Sequence, residues 1–376
     1  MEITILGGGI AAVSLAFFLQ KNKSIKKINI LEKEKYFGGL LKTYSHKKIH
    51  FDVGPHIIFS KHKEILALML KLLGNNKIKI RRSNKIIYKN TNYIKYPFEN
   101  ELYKLPKKDR DRCLKLFLKN PYKNISKPKT MKQFFLKLFG KGIYEAYLGP
   151  YNNKIWKMRP SNLDTQMVDR IPQPPVEDII KSADGKATEG YKHQLYFHYP
   201  FKGGIESLFT AFLKKLNKKK VKLISDCEIK KIKKLKKNSY KLLIKNKTIE
   251  TNKLISTIPL NNFYKYFEKK KSLKKYSSKL KYNSIVITIV NVKGNVGGDN
   301  FALMIPDKKI IFHRLSKLDF LGKNYSLPNS TTFEIEITYK DGDRISKMND
   351  EEIYKNIKKG LKKLKFIGKD SDINFK

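Results

Sequence analysis

Residues 1–12, Met-Glu-Ile-Thr-Ile-Leu-Gly-Gly-Gly-Ile-Ala-Ala, decide the fold of this chain. The apolar run that ends at Leu6 predicts a buried parallel strand, and Ile10–Gln20 carries an apolar helical pattern. A second strand is predicted over Lys27–Leu31, and Glu32 follows it directly. A strand, a glycine-rich turn, a helix and an acidic residue about twenty positions later are typical of a dinucleotide-binding unit.

Each position of this motif has a physical role. Gly7 permits the tight turn, and Gly9 lets the backbone approach a pyrophosphate. The helix begins at Ile10 and Ala11, whose N–H groups are expected to bind that anion. Glu32 stands where a carboxylate accepts hydrogen bonds from a ribose diol. The alternative interpretation is a glycine-rich turn in some other α/β protein.

A second glycine pair follows the acidic residue, in the stretch Tyr36-Phe-Gly-Gly-Leu40. This placement of Gly38 and Gly39 resembles the flavoprotein family of amine oxidases, desaturases and sugar mutases. In that family the pair lets the chain pass a second time around the FAD pyrophosphate. The resemblance implies FAD rather than a free nicotinamide cofactor, and it adds Leu40 to the expected cofactor-binding residues.

Composition excludes a disordered chain and predicts more than one domain. The chain has 376 residues, of which 40% are hydrophobic and 12% aromatic. Its net charge of +48 would suit a nucleic acid or an anionic surface. However, only eight of the 81 basic residues are Arg, and the lysines are scattered along the whole chain. We therefore interpret most lysines as solvated surface residues and expect no nucleic-acid partner.

Cysteine content and hydropathy predict the compartment. Cys113 and Cys227 have neither metal-ligand nor CxxC spacing, which suits a reducing cytosol. No apolar run approaches the roughly 18 residues of a membrane span. The first strand begins almost at Met1, so no signal peptide is expected. The chain is predicted to be cytoplasmic and to bind no metal.

The pattern of elements predicts an α/β fold with a Rossmann-type domain, a helical insertion and an antiparallel sheet. Strands predicted at 221–225, 228–232, 240–244 and 254–258 are expected to return to the Rossmann sheet. A hairpin is predicted within 78–96, a loop over 174–188, and β-strands at 284–292, 302–305, 310–315 and 332–339. The expected domains are 1–75 with 196–265, 76–195, 266–345, and a terminal helical segment, 346–376.

Several longer motifs, in order along the chain, resemble UDP-galactopyranose mutases. These FAD enzymes interconvert the six- and five-membered ring forms of UDP-galactose. The motifs that carry the resemblance are Gly-Pro-His-Ile-Ile-Phe-Ser (54–60), Tyr-Pro-Phe-Glu-Asn (96–100), Pro-Tyr-Asn-Asn-Lys-Ile-Trp (150–156), Asp-Arg-Ile-Pro (169–172), Tyr-Pro-Phe-Lys-Gly-Gly (199–204) and Phe-His-Arg-Leu (312–315).

The resemblance implies catalytic roles for three residues. Arg170 and Arg314 would clamp the substrate diphosphate, which suits guanidinium groups because they bind such oxygens with paired hydrogen bonds. His56 would lie against the flavin ring and help to set the redox and protonation state of the flavin. An ordinary ion pair between Arg170 and nearby Asp164 or Asp169 is the alternative.

The resemblance also implies a set of binding residues. Tyr147 and Tyr151 would sandwich the uracil ring, Asn100 would read its amide edge, and Trp156 would line the sugar pocket. Ile229 joins the predicted cofactor-binding residues. A core aromatic stripe is the alternative for Tyr147.

The implied activity uses reduced FAD as a nucleophile on a UDP-sugar, with NAD(P)H as a candidate reductant. Family members continue with a third return to the FAD domain, and nothing in residues 365–376 resembles it. Two rival functions stay open: an FAD-dependent oxidoreductase of the amine oxidase, protoporphyrinogen oxidase or desaturase type, and a non-catalytic basic binding module. A homo-oligomer is compatible with either.

Overall fold

The computed structural model describes residues 1–168, 171, 174–189, 195–235, 239–245, 247–267, 275 and 279–376. The chain divides into two compact units, Met1–Ile78 with Tyr199–Tyr282 and Lys79–His198 with Asn283–Lys376. The four-part division expected from the sequence stays a prediction.

The described α-helices are α1 (Ile10–Leu19), α2 (Lys63–Leu73), α3 (Lys107–Leu118), α4 (Met131–Ile143), α5 (Gly149–Trp156), α6 (Val176–Ala183), α7 (Glu206–Lys214), α8 (Leu260–Phe263) and α9 (Asp350–Lys363). The described strands are β1 (Glu2–Leu6), β2 (Lys27–Leu31), β3 (Thr43–His46), β4 (Ile49–Asp52), β5 (Ile78–Arg81), β6 (Asn84–Tyr88), β7 (Asn92–Lys95), β8 (Tyr196–Tyr199), β9 (Val221–Ile224), β10 (Ile229–Lys234), β11 (Tyr240–Ile244), β12 (Lys247–Thr251), β13 (Lys253–Ser256), β14 (Ser284–Lys293), β15 (Ala302–Met304), β16 (Arg314–Lys317), β17 (Ser330–Tyr339) and β18 (Ile373–Phe375).

The first unit contains a parallel four-stranded sheet in the order β13-β1-β2-β9. Its central strands β1 and β2 are mostly buried apolar runs, and Ala12, Val13 and Ala16 of α1 are fully buried in the same core cluster. Small residues on α1 let the helix lie close to the sheet, as the third position of the glycine motif requires. The α/β fold and the predicted bounds of β1 and β2 are thus confirmed.

The predicted return of four strands to this sheet is correct for β9 and β13 only. The strands between them form a separate antiparallel sheet in the order β10-β11-β12. Consecutive strands joined by short turns pair antiparallel, because a parallel neighbour needs a crossover connection of about a dozen residues or more.

The second unit contains a seven-stranded sheet in the order β18-β14-β17-β16-β15-β6-β7. Its neighbours pair antiparallel except β15 and β6, which are parallel. The predicted hairpin is therefore present as β6 and β7, at one edge of this sheet. Helix α9 packs on the sheet through Ile353, Ile357 and Leu361, which share a core cluster with Phe312 and Phe333.

Two sequence predictions are wrong in this unit. The loop expected over 174–188 contains helix α6, in which Ile179 and Ala183 are buried. Pro175 is its N-cap, where a missing N–H costs nothing, so the proline-rich sequence starts a helix here instead of excluding one. The strand expected over 310–315 runs over Arg314–Lys317 instead, so Arg314 begins a strand. Among the described residues, no helix has the length and apolar character needed to cross a membrane.

Candidate functional site

The glycine turn of the first unit is shaped to receive an anion. Gly7 has φ +95°, and its N–H donates to the Leu31 carbonyl at 2.8 Å. Gly9 is the N-cap of α1. The first N–H groups of a helix, here those of Ile10 and Ala11, have no partner within the helix. Together with the helix dipole they favour a phosphate at this position.

The second glycine pair lies directly against this turn. The Gly38 N–H donates to the Gly8 carbonyl at 3.0 Å, and Gly38 forms an isolated parallel bridge with Gly9. Gly39 has φ +58°, and a Cβ added to it would lie 3.1 Å from Gly9 Cα. The two glycine segments predicted to bind one cofactor are therefore in backbone contact. Leu40, next in the chain, is exposed.

Glu32 is held at the edge of the same turn. Its carboxylate is 8% exposed and accepts hydrogen bonds from the Gly8 N–H at 2.7 Å and the Glu34 N–H at 3.0 Å. A carboxylate has about four acceptor sites, so two remain for a ribose diol. Ile229 shares a buried cluster with Leu6 and Leu31, the residues that end β1 and β2.

His56 follows a hairpin that is fixed by buried polar groups. Asp52 accepts hydrogen bonds from Thr43 Oγ1 at 2.7 Å, from the Ile205 N–H at 3.1 Å and from the Tyr199 hydroxyl. Burial raises the pKa of Asp52, and these hydrogen bonds oppose that effect. His56 Nδ1 is buried, and no described residue gives it a hydrogen-bond partner. A buried ring nitrogen in this state suits a partner supplied by a bound group.

In the second unit, Arg314 is oriented by a carboxylate on the neighbouring strand. Arg314 and Glu336 are paired in register across β16 and β17, and Arg314 Nε donates to Glu336. The Arg314 side chain is 33% exposed, whereas Glu336 is 5% exposed. Within the described residues the two Nη groups make no hydrogen bond, so they are available to an anion.

A second arginine, which the sequence reasoning missed, lies near Arg314. The pKa of Arg82 is lowered chiefly by burial and also by the positive charge of Arg314, while Tyr96 raises it. Tyr151 belongs to the same group of side chains. Burial raises its pKa, and the positive charge of Arg314 is the largest effect that opposes this rise. The scarcity of arginine in a lysine-rich chain is the sequence feature that could have indicated a role for Arg82.

Three aromatic rings form a stack beside this group. Tyr147 stacks with Phe98, with ring centroids 5.2 Å apart, and with Tyr151 at 5.0 Å. Because Tyr147 and Tyr151 stack directly on each other, they leave no space for the base that they were expected to sandwich. Tyr147 is 2% exposed and stands in the middle of the stack, as the alternative of a core aromatic residue predicts. A flat base that adds to the stack would contact Tyr151 at its end.

The remaining predicted residues occupy polar positions in the same unit. Asn100 is 1% exposed, and its Oδ1 accepts a hydrogen bond from Thr188 Oγ1 at 3.2 Å. Its Nδ2 is buried, and the described residues provide no acceptor for it. Trp156 Nε1 donates to Asn152 Oδ1 at 3.2 Å. Arg170 lies outside the described residues.

Comparison with known proteins places this geometry in context. Residues 5–72 match the family model of an NAD(P)-binding Rossmann-like domain. A structure of reduced UDP-galactopyranose mutase superposes with a TM-score of 0.85 at 21% sequence identity, covering 96% of this chain and 78% of the mutase chain.

Two oxidases have similar structures at lower identity. A protein from Exiguobacterium sp. 255-15 assigned as a protoporphyrinogen oxidase gives a TM-score of 0.75 at 15% identity, covering 97% of this chain and 83% of its own. A redesigned putrescine oxidase gives 0.61 at 12% identity, covering 96% and 81%. The chain thus contains a Rossmann-like domain within a fold that it shares with UDP-galactopyranose mutase and with these oxidases.

Proposed function

We propose that this chain is an FAD-dependent enzyme and that the glycine turn of the first unit holds the cofactor. The residues present fit the group: two glycine segments are in backbone contact beside the start of α1, whose first N–H groups can bind a pyrophosphate, and Glu32 retains acceptor sites for a ribose. His56 Nδ1 supplies a buried polar atom that needs a partner. When bound, FAD would supply a ring system able to accept electrons or, once reduced, to act as a nucleophile.

We further propose that the substrate is a UDP-sugar and that the reaction interconverts its pyranose and furanose forms. The observation that carries this proposal is the pair of guanidinium groups in the second unit, with Arg314 fixed by Glu336 and its Nη groups available. A diphosphate is the ligand that best matches two planar cations, because each can form paired charge-assisted hydrogen bonds with it.

Each residue then has a defined task. Arg314 and Arg82 bind and orient the diphosphate, and Arg170 is proposed as a further ligand of it from the family resemblance. Tyr151 takes the base on the end of the aromatic stack, and the unpaired Asn100 Nδ2 donates to a base carbonyl. Trp156 lines the sugar site. Most of the catalytic effect would come from holding the reacting atoms in position.

The test uses the full chain loaded with FAD and reduced by dithionite, with UDP-galactofuranose as substrate and chromatography of the products. Conversion to UDP-galactopyranose is expected. Arg314→Ala should lower kcat/KM by about 100-fold, because positioning and charge are lost together. Arg81→Ala is the matched control, since it removes an arginine whose side chain is 65% exposed.

No conversion by a flavin-loaded protein, or equal effects of the two substitutions, would refute the mutase proposal. The second candidate is an FAD-dependent oxidoreductase, which the structural similarity to two oxidases favours. Its signature is an organic substrate that bleaches the oxidised flavin without any UDP-sugar present. NAD(P)H is a candidate reductant in the mutase cycle and can be tested by the same bleaching.

A further inference from the structure

A cavity of about 550 Å³ in the second unit is lined by an unusual number of cations. Its volume lies in the range of small-molecule sites. Its lining shares no residue with the proposed cofactor and substrate sites. Six of its side chains are basic: Lys154, Lys157, Lys308, Lys309, Lys340 and Arg344.

Direct ion pairs do not neutralise these cations. Within the described part of the chain, none of the six lies within ion-pair distance of a carboxylate. Asp343 is the one carboxylate that lines the cavity, and its oxygens are occupied by the backbone N–H groups of its own turn, those of Lys340, Ile345 and Ser346. Asp343 offsets part of the charge of Lys157, but one carboxylate against six cations leaves the lining with a large excess of positive charge.

The innermost lysines are held in place and do not extend into solvent. Lys154 Nζ donates to the carbonyls of Ile305 and Asp307 at 2.8 Å each, and Lys340 Nζ donates to the Lys157 carbonyl at 2.9 Å. Lys157 is half-buried, and its ammonium group has no partner among the described residues. Burial lowers the pKa of Lys157 and lowers that of Lys154 to about 7, and the carboxylates of Asp343 and Asp307 oppose this effect without cancelling it.

We propose that this cavity binds a small organic ligand that carries two or three linked phosphate groups. Six cations around one concave surface, two of them held by hydrogen bonds, match a chain of phosphate oxygens better than a single carboxylate or sulfate. Part of the wall is apolar, formed by Ile310, Ile311, Ile345 and Met348, and would contact the organic part of the ligand.

The first test maps ligand protection on the unmodified full chain. Reductive methylation of lysines is followed by mass spectrometry with and without tripolyphosphate, at about 0.15 M salt to screen diffuse attraction. Lys154, Lys157 and Lys340 should become several-fold less reactive, while Lys355 and Lys359, exposed on α9 and outside the cavity, keep their rates. Absent or uniform protection would overturn the proposal.

The second test compares two charge-matched double variants by titration calorimetry with tripolyphosphate. Lys157→Ala with Lys340→Ala should weaken binding by at least about tenfold, whereas Lys355→Ala with Lys359→Ala should leave it within about twofold. Equal losses in both variants would show that net charge alone attracts the ligand and would overturn the site. Should the cavity variant fail to fold, the protection map on the unmodified chain decides.

The apolar wall is tested with GTP in the same protection assay. GTP should protect Lys157 at a lower concentration than tripolyphosphate, because its organic part buries apolar surface. Protection by tripolyphosphate at the lower concentration would overturn the assignment of an organic ligand.

Discussion

At the residue scale, the contact between the two glycine segments makes a clear prediction about the cofactor. Gly39 and Gly74 both have φ +58°, but an added Cβ would contact Gly9 only at Gly39 and nothing within 4 Å at Gly74. We expect Gly39→Ala and Gly74→Ala each to lower the free energy of unfolding by roughly 1–2 kcal/mol, since both force an L-residue into the left-handed region.

Only Gly39→Ala should also weaken FAD binding, by about tenfold or more, because the new methyl group separates the two backbone segments. Flavin affinity is measured by fluorescence quenching, and stability by urea denaturation of the flavin-free chain. Equal flavin affinity in the two variants would show that the segments need no close approach.

Glu99 adjoins Asn100 in the chain, and its side chain is buried, with the residue 3% exposed. Burial raises the pKa of its carboxyl from 4.5 to about 7. The folded state therefore holds a proton that the unfolded state has released between these two pH values, so the stability of the chain falls as pH rises from about 4.5 to 7. Above that range the loss is constant.

Glu99→Gln removes the titrating group, so the free energy of unfolding of the variant minus that of the wild type should be about 3 kcal/mol higher at pH 8 than at pH 4.5. The measurement is urea denaturation of both proteins at the two pH values, with the wild-type difference as reference. Parallel pH profiles for variant and wild type would show that Glu99 ionises normally in the fold.

At the scale of the element, a substitution in helix α9 compares the cost of overpacking the core with the gain in helix propensity. Gly360 is buried in its last turn, and an added Cβ would lie 2.5 Å from Phe312 Cε1 and 2.9 Å from Phe312 Cζ. Alanine favours the helix by up to about 1 kcal/mol. Overpacking against Phe312 costs about 1–3 kcal/mol, so we expect Gly360→Ala to destabilise the second unit.

Thermal denaturation followed by circular dichroism measures this effect. Lys359→Ala, at the exposed preceding position, is the control and should be nearly neutral. A Gly360→Ala variant with a higher melting temperature would mean that the ring of Phe312 moves aside without loss.

Elements whose pattern is local were predicted at the correct residues. Strands β1 and β2 and the start of α1 follow from apolar runs, a glycine turn and a helix period that a few neighbouring residues determine. Arg82 could not be placed in this way. Arg82 precedes β6, which pairs in parallel with β15. Strand β15 pairs in turn with β16, whose first residue is Arg314. The pairing of β6 with β15 joins residues more than 200 positions apart, such as Asn84 and Ala302, and periodicity carries no information about it.

At the scale of the whole molecule, the residues proposed to bind the cofactor and those proposed to bind the substrate belong to different units. The glycine turn, Glu32 and His56 belong to the first unit, whereas Asn100, Tyr151 and Arg314 belong to the second. Each unit has its own buried core cluster. Ligands that bind one unit should therefore stabilise the elements of that unit first, since binding energy is gained only where contacts form in the native state.

Hydrogen exchange of the full chain measures this separation. FAD at about 100 times its Kd should add roughly 2.7 kcal/mol to the openings of β1, α1 and β2, because these elements carry its contacts. UDP should slow exchange in residues 98–100 and in α5 even without flavin, because the aromatic stack and Asn100 lie within the second unit. If UDP protects only β1 and α1, the nucleotide binds at the glycine turn, and Arg314 is not the diphosphate ligand.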